Sequence, residues 1–130
     1  MIRPENIPYR QQRLLVTKFM ASANKLITHF FFSADHDWAV QQETYIAYYV
    51  WMAHLQGQAV TVQNLSRRLG IPRATLKRKL DYIVDQGYAQ RIGTRYFVAD
   101  DIANDLRCSK KLIDLMYKTV DELRTLESVK

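Results

Sequence analysis

The 130-residue chain is 48% hydrophobic and 25% charged, as is ordinary for a globular protein, and its net charge is +6. The length allows one domain with a hydrophobic core and excludes two of ordinary size, and the composition excludes a disordered or low-complexity chain. All of the net charge lies in residues 61–98, where eight Lys and Arg stand against two acids, so the sequence predicts an anionic partner for that segment.

The sequence also constrains the compartment. Cys108 is the single cysteine, which excludes an intramolecular disulfide bond and a zinc site built from thiolates of one chain. The first residues lack the apolar run of a signal peptide, and no stretch reaches the roughly 18 uninterrupted apolar residues of a membrane-spanning helix. We therefore expect a cytoplasmic protein with no membrane partner.

Two helices are predicted in the first half of the chain. Apolar residues recur at helical spacing and predict a helix over residues 10–32, which would be about 34 Å long. The short polar residues 33–37 favour a turn, and a second, more central helix is predicted over residues 38–56. Residues 59–60 are too few for more than an edge strand.

The middle of the chain has the spacing of a helix-turn-helix. Thr61 is the predicted N-cap of a short helix, and Gly70 supplies the positive φ of the following turn. Pro72 begins a second helix that extends to about Gln86. The small side chain of Ser66 lets the helices approach, and four apolar residues of the second helix point inward: Leu76, Leu80, Ile83 and Val84.

A hairpin and a last long helix complete the chain. Residues 88–98 form two β-rich runs around Gly93–Thr94. A helix over residues 100–128 then carries apolar residues at alternating spacings of four and three, close to a coiled-coil seam. The first and last helices each carry an apolar stripe that residues 38–98 cannot cover in full. We predict that they are dimerisation helices, and the alternative is that they pack on each other within one chain.

The outward face of the second helix of this motif is the candidate functional site. A recognition helix of this kind enters the DNA major groove. Its cations suit guanine edges or phosphates, a threonine suits base edges, and two arginines bracket a hairpin turn that fits a minor groove or a phosphate ridge. Arg68 and Lys79 are expected nearer the DNA backbone. The predicted DNA contacts are Arg68, Arg73, Ala74, Thr75, Lys77, Arg78, Arg91, Thr94 and Arg95.

Two alternatives stand beside this interpretation. Helix-turn-helix spacing is also a common way of packing three helices, in which case the cations form a solvated face. The hairpin arginines Arg91 and Arg95 could equally protect an exposed sheet edge from aggregation.

The order of elements resembles the MarR family of winged-helix bacterial regulators, most specifically over residues 65–80 and 83–91, and the resemblance covers nearly the whole chain. It implies a mainly α fold: a single winged helix-turn-helix domain over residues 1–130, with a short β-hairpin wing. Helices 10–32 and 100–128 would form the dimer, and residues 38–98 the DNA-binding lobe. It further implies a homodimer on a pseudo-palindromic operator, and a small-molecule effector or redox input where dimer helices and lobe meet.

We therefore expect a sequence-specific regulator that binds double-stranded DNA, acting as a repressor by occluding a promoter. The alternative is a winged-helix interaction module that binds an acidic protein partner. No nucleophile and base occur at a recognisable spacing and no Gly-rich phosphate loop is present, so neither enzymatic activity nor a cofactor is expected. Residues 35–37 supply too few ligands for a metal site.

Several other residues receive structural interpretations. His54 is predicted to be a hydrogen-bonded core or interface histidine, and Cys108 a small packed residue rather than an oxidant sensor. The aromatic residues between positions 30 and 51 are predicted to serve core or dimer packing, although an effector, if one binds, is expected there.

Overall fold

The computed structural model describes residues 2–31 and 41–128. The described residues are mainly helical, at 74%, with one small antiparallel sheet of three strands, which confirms the predicted mainly α class with a β-hairpin. It divides into two units, one formed by residues 1–30 and 106–130 and the other by residues 31–105. Among the helices of the described ranges, none combines the length and apolarity needed to cross a bilayer.

Six helices and three strands follow one another along the described parts of the chain, after a 3-10 turn at Pro4–Asn6. The helices are α1 (Arg10–Phe31), α2 (Gln41–Leu55), α3 (Val62–Leu69), α4 (Arg73–Asp85), α5 (Asp100–Asn104) and α6 (Arg107–Ser128), and the strands are β1 (Val60–Thr61), β2 (Ala89–Ile92) and β3 (Arg95–Val98).

The first two helices follow the predicted bounds as far as these can be compared. Helix α1 begins at Arg10 as expected, and α2 ends one residue before the predicted Gln56. The turn predicted over residues 33–37, together with the first residues of the predicted second helix, lies outside the described residues.

Local signals position α3 and α4. The Thr61 side chain accepts a hydrogen bond from the backbone N–H of Asn64 at 3.2 Å, which confirms the N-cap, and Gly70 adopts the predicted left-handed conformation with φ of 69°. The hydroxyl of Ser66 donates to the backbone carbonyl of Ile71. Besides being small, this serine therefore ties α3 directly to the turn that leads into α4.

The sheet has one strand more than the hairpin. Strands β2 and β3 pair around a two-residue turn, with Ile92 opposite Arg95. Strand β1 pairs with the other edge of β3, with Val60 opposite Tyr96, so the sheet order is β1-β3-β2. Because β1 leads straight into the N-cap of α3, the start of α3 is fixed beside the hairpin.

The hydrophobic core of the 31–105 unit lies between α2, α4 and the sheet. Helix α4 contributes Leu76, Leu80 and Ile83, all fully buried, and the predicted inward residue Val84 packs half-buried against them. These side chains determine how α4 is rotated about its axis. The buried partners from the other elements are Ile46, Ala47, Val50, Ala53, Val60, Leu65, Tyr88, Ala89, Tyr96 and Val98.

The predicted last helix is broken, which corrects its bounds of 100–128. Helix α5 ends at Asn104, Asp105 has extended dihedral angles (φ −86°, ψ 111°), and α6 begins at Arg107. Asn and Asp favour helix ends because their side chains compete for backbone hydrogen bonds, and the Asn104 amide indeed donates to the carbonyl of Asp100 at 2.9 Å. Apolar spacing alone did not reveal this break.

An ion pair joins α4 to α2. The Lys79 ammonium lies 2.9 Å from Glu43 Oε1, and their side chains are only 16% and 11% exposed. The expectation that Lys79 lies toward a DNA backbone is therefore wrong, because this lysine neutralises a mostly buried carboxylate. The second oxygen of Glu43 is buried and has no hydrogen-bond partner among the described residues, so compensation of this carboxylate's charge depends on Lys79.

Substituting methionine for Lys79 should destabilise the protein far more than the same change at Lys77. The Lys77–Asp81 pair has the same 2.9 Å separation, but its side chains are 51% and 40% exposed. We expect Lys79→Met to lower the free energy of unfolding by about 3 kcal/mol, because it leaves a buried charge unpaired. Lys77→Met should cost less than about 1 kcal/mol. Urea unfolding measures both, and equal losses would contradict this account of the buried pair.

Candidate nucleic-acid interface

The outward face of α4 carries most of the predicted DNA contacts. Since Leu76, Leu80 and Ile83 point inward, the residues between them point away from the core. Arg73, Ala74, Lys77 and Arg78 are exposed, as predicted, whereas Thr75 and Asp81 are half-buried. An open groove of about 540 Å³ follows this face and is lined by Ala74, Lys77, Arg78, Asp81, Tyr82 and Asp85. We call it the α4 groove.

A second depression joins α4 to the hairpin. It has a volume of about 380 Å³ and three of its lining residues, Arg73, Lys77 and Arg91, are cations. The start of α3, the hairpin residue Thr94 and Tyr96 complete its lining. We call this depression the basic recess. Four residues predicted from the sequence to contact DNA, Arg73, Lys77, Arg91 and Thr94, are brought together here.

The recess and the α4 groove share Lys77, which belongs to a chain of three side chains. Lys77 Nζ lies 2.9 Å from Asp81 Oδ2, and the Tyr96 hydroxyl donates to Asp81 Oδ1 at 3.1 Å. Tyr96 is 1% exposed, so its hydroxyl presents a fixed donor from the core. The i, i+4 spacing of Lys77 and Asp81 was visible in the sequence, but no local signal connected either residue to Tyr96.

This arrangement shifts the pKa values of both acidic groups. The hydrogen bond from Lys77 lowers the pKa of Asp81 most, with a further contribution from the Tyr96 hydroxyl. Burial raises the pKa of Tyr96, and the hydrogen bond to Asp81 raises it further. At neutral pH the carboxylate is therefore charged and the phenol is protonated, which is the state that the hydrogen bonds require.

The remaining predicted arginines have separate environments. Arg91 Nε donates to the carbonyl of Gly93 at 2.7 Å, and its guanidinium carbon lies 5.8 Å from the centre of the Tyr96 ring, so its position at the turn is supported. Arg68 lies over the ring of Tyr49 on α2, at 5.5 Å. Neither Arg68 nor Arg95 lines the α4 groove or the basic recess, and Arg95 is exposed.

His54 and Cys108, for which the sequence predicted packing roles, are both packed within the protein. His54 Nδ1 accepts a hydrogen bond from the backbone N–H of Val98 at 3.1 Å, and its ring packs edge-on against Trp51 and Phe97. Cys108 is buried. The described residues contain no group of three or more side chains able to hold a metal ion. The acidic segment 35–37 lies outside the described residues, as do Phe32 and Trp38 of the aromatic region proposed for an effector.

Comparison of the chain with protein-family models, curated proteins and solved structures found no match. The resemblance to MarR regulators therefore stays a prediction, and the site has to be interpreted from its own chemistry.

Asp81 should titrate below the ordinary range of an aspartate, and Lys77→Met should raise its pKa more than Tyr96→Phe does. The lysine hydrogen bond is the largest cause of the lowered pKa. Because the folded-state pKa lies below the unfolded one, the stabilisation is present at neutral pH and is lost as the pH falls through the folded-state pKa. Carboxyl-carbon NMR titration measures the pKa in each variant. An unchanged Asp81 pKa in Lys77→Met would refute the pairing.

Proposed function

We propose that this chain is a transcriptional regulator that binds double-stranded DNA sequence-specifically, as a repressor with a winged helix-turn-helix fold. One observation carries the proposal: the outward face of α4 presents exposed cations beside a basic recess that it shares with the hairpin. A phosphate backbone needs clustered cations, and base recognition needs a helix face free to enter a groove. Both requirements meet on this surface.

In this interpretation α3, the Gly70 turn and α4 form the helix-turn-helix, and β2 and β3 form the wing. Helix α4 is the recognition helix. Arg78 and Ala74 on the α4 groove would contact base edges, a guanine edge and a thymine methyl group being the matching partners. Arg73 and Arg91 around the basic recess would hold backbone phosphates and set the position of α4 on the duplex.

We further propose that the regulator is a homodimer formed by α1 and α6. In the unit of residues 1–30 and 106–130, Thr28 and Cys108 are the only buried residues among those described. Large apolar residues of both helices are exposed: Leu14, Val16 and Met20 on α1, and Ile113, Met116, Tyr117 and Val120 on α6. Exposed apolar stripes of this kind favour association.

The grooves between these helices support a second copy as the partner. Residues of α1 and α6 line two shared grooves of about 1000 and 580 Å³. Leu14, Leu15 and Leu126 border the larger groove without filling it. Packing of the two helices on each other within one chain thus leaves their apolar side chains uncovered, and a symmetric copy of the same unit offers matching apolar side chains to cover them.

DNA affinity should depend steeply on salt. If each subunit neutralises about three to five phosphates, log K should fall against log salt concentration with a slope of roughly −5 to −9 for the dimer. Fluorescence anisotropy with a labelled duplex at several salt concentrations measures this slope. A slope near zero would contradict phosphate binding by the basic recess.

Arg78→Ala and Arg68→Ala should have different effects on sequence preference. Arg78 lines the α4 groove, whereas Arg68 lies over Tyr49, so the two provide a matched pair of arginine truncations. Arg78→Ala should reduce discrimination between a selected site and random duplex by about tenfold, the value of one good base contact. Arg68→Ala should weaken both complexes equally. Indifference of the intact protein to sequence would instead favour a module that binds an acidic protein.

A further inference from the structure

Two carboxylates line the α4 groove beside Lys77 and Arg78: Asp85 at the end of the helix, and Asp81, which accepts hydrogen bonds from Lys77 and Tyr96. Asp81 lines the α4 groove together with Arg78 and Lys77, and it faces the region where the proposed function places DNA. A negative charge at this place opposes phosphate binding, so its presence needs a physical account.

The surroundings of Asp81 hold it in one position. The Lys77 ammonium donates a hydrogen bond to Oδ2 at 2.9 Å, and the buried Tyr96 hydroxyl donates one to Oδ1 at 3.1 Å. A surface carboxylate held only by a flexible lysine could swing away, but the donor from the core prevents this. Each carboxylate oxygen has two acceptor positions, so both oxygens keep one for a further donor.

We propose that Asp81 is a specificity-determining residue, held by Lys77 and Tyr96 so that it weakens binding to random duplex and accepts a hydrogen bond from the amino group of a cytosine. The inference rests on the proposed function, since it assumes that α4 faces DNA.

Two physical effects produce this behaviour. Pairing with Asp81 offsets part of the charge that Lys77 would offer to a phosphate, and the carboxylate itself repels the DNA backbone. This lowers affinity for any sequence alike. At a cytosine the amino group donates to the carboxylate, and aspartate is one of the side chains that pair with this group in the major groove. Only a site with cytosine in the right place recovers part of the lost affinity.

Asp81→Asn is the main test, because it removes the charge with little change in shape. Affinity for random duplex should rise several-fold, and the salt slope should steepen by about one unit per subunit as Lys77 becomes free to contact a phosphate. In sites selected from random DNA, the wild type should prefer cytosine about tenfold at one position of each half-site. Sites selected by Asp81→Asn should lack this preference. The steeper slope should disappear in the double variant Lys77→Met, Asp81→Asn.

Two further variants separate charge from position. Asp85→Asn removes an equal charge at the end of α4, where Asp85 forms no ion pair with a described residue, and it should leave the cytosine preference intact. Tyr96→Phe keeps the charge of Asp81 but removes its fixed donor. It should weaken the cytosine preference by a larger factor than it changes affinity for random duplex.

The outcomes distinguish this inference from the proposed function. If the wild type bound no duplex at all, both would fall. If the wild type bound DNA with the expected salt dependence, but Asp81→Asn left random-duplex affinity or base preference unchanged, only the role of Asp81 would be overturned. Should Asp81→Asn fail to fold by circular dichroism, Tyr96→Phe decides, and an unaltered cytosine preference in that variant refutes the inference.

Discussion

The burial of one face of α4 is the constraint on which the rest of the site depends. Leu76, Leu80 and Ile83 are fully excluded from solvent, and burying three such side chains contributes several kcal/mol, on the order of 1.5–3 kcal/mol each. No rotation of α4 about its axis can preserve this packing and also turn Arg73 or Arg78 inward. The exposure of the cations is therefore a consequence of the core.

The net charge of residues 61–98 overstates how many cations are available to a ligand. Lys77 and Lys79 are two residues apart on one helix, but their environments differ. Lys79 forms a mostly buried ion pair with Glu43 of α2, whereas Lys77 pairs with Asp81 at the surface. Arg91 is held at its turn by Gly93. Because some of these cations are bound within the protein, the surface holds a few cations in fixed positions and does not attract anions diffusely. Fixed positions are what base recognition requires.

Local signals in the sequence predicted much of this fold. The cap at Thr61, the turn at Gly70 and the hairpin at Gly93 depend on residues within a few positions of one another, and the structure contains all three. Helical spacing likewise located α1 and α4. The break at Asp105 was missed because apolar spacing continues through it, although the side chains that end α5 were present in the sequence.

Long-range contacts could not be predicted in this way. The pairing of β1 with β3, the Lys79–Glu43 ion pair and the hydrogen bond from Tyr96 to Asp81 join residues that are far apart in sequence. Such contacts depend on how the elements pack, which no local pattern encodes. Within the candidate site, the helical period of the sequence predicted which residues of α4 face outward. The basic recess could not be predicted, because it depends on the position of the hairpin beside α4.

The central claim is that the outward face of α4 and the neighbouring hairpin turn bind duplex DNA. Backbone amide chemical shifts of the full chain, recorded while a random-sequence duplex is added, test it most directly. The account predicts that the largest changes cluster at Arg73, Lys77, Arg78 and the turn at Gly93. Unchanged signals at these residues, or changes confined to α1 and α6, would contradict it.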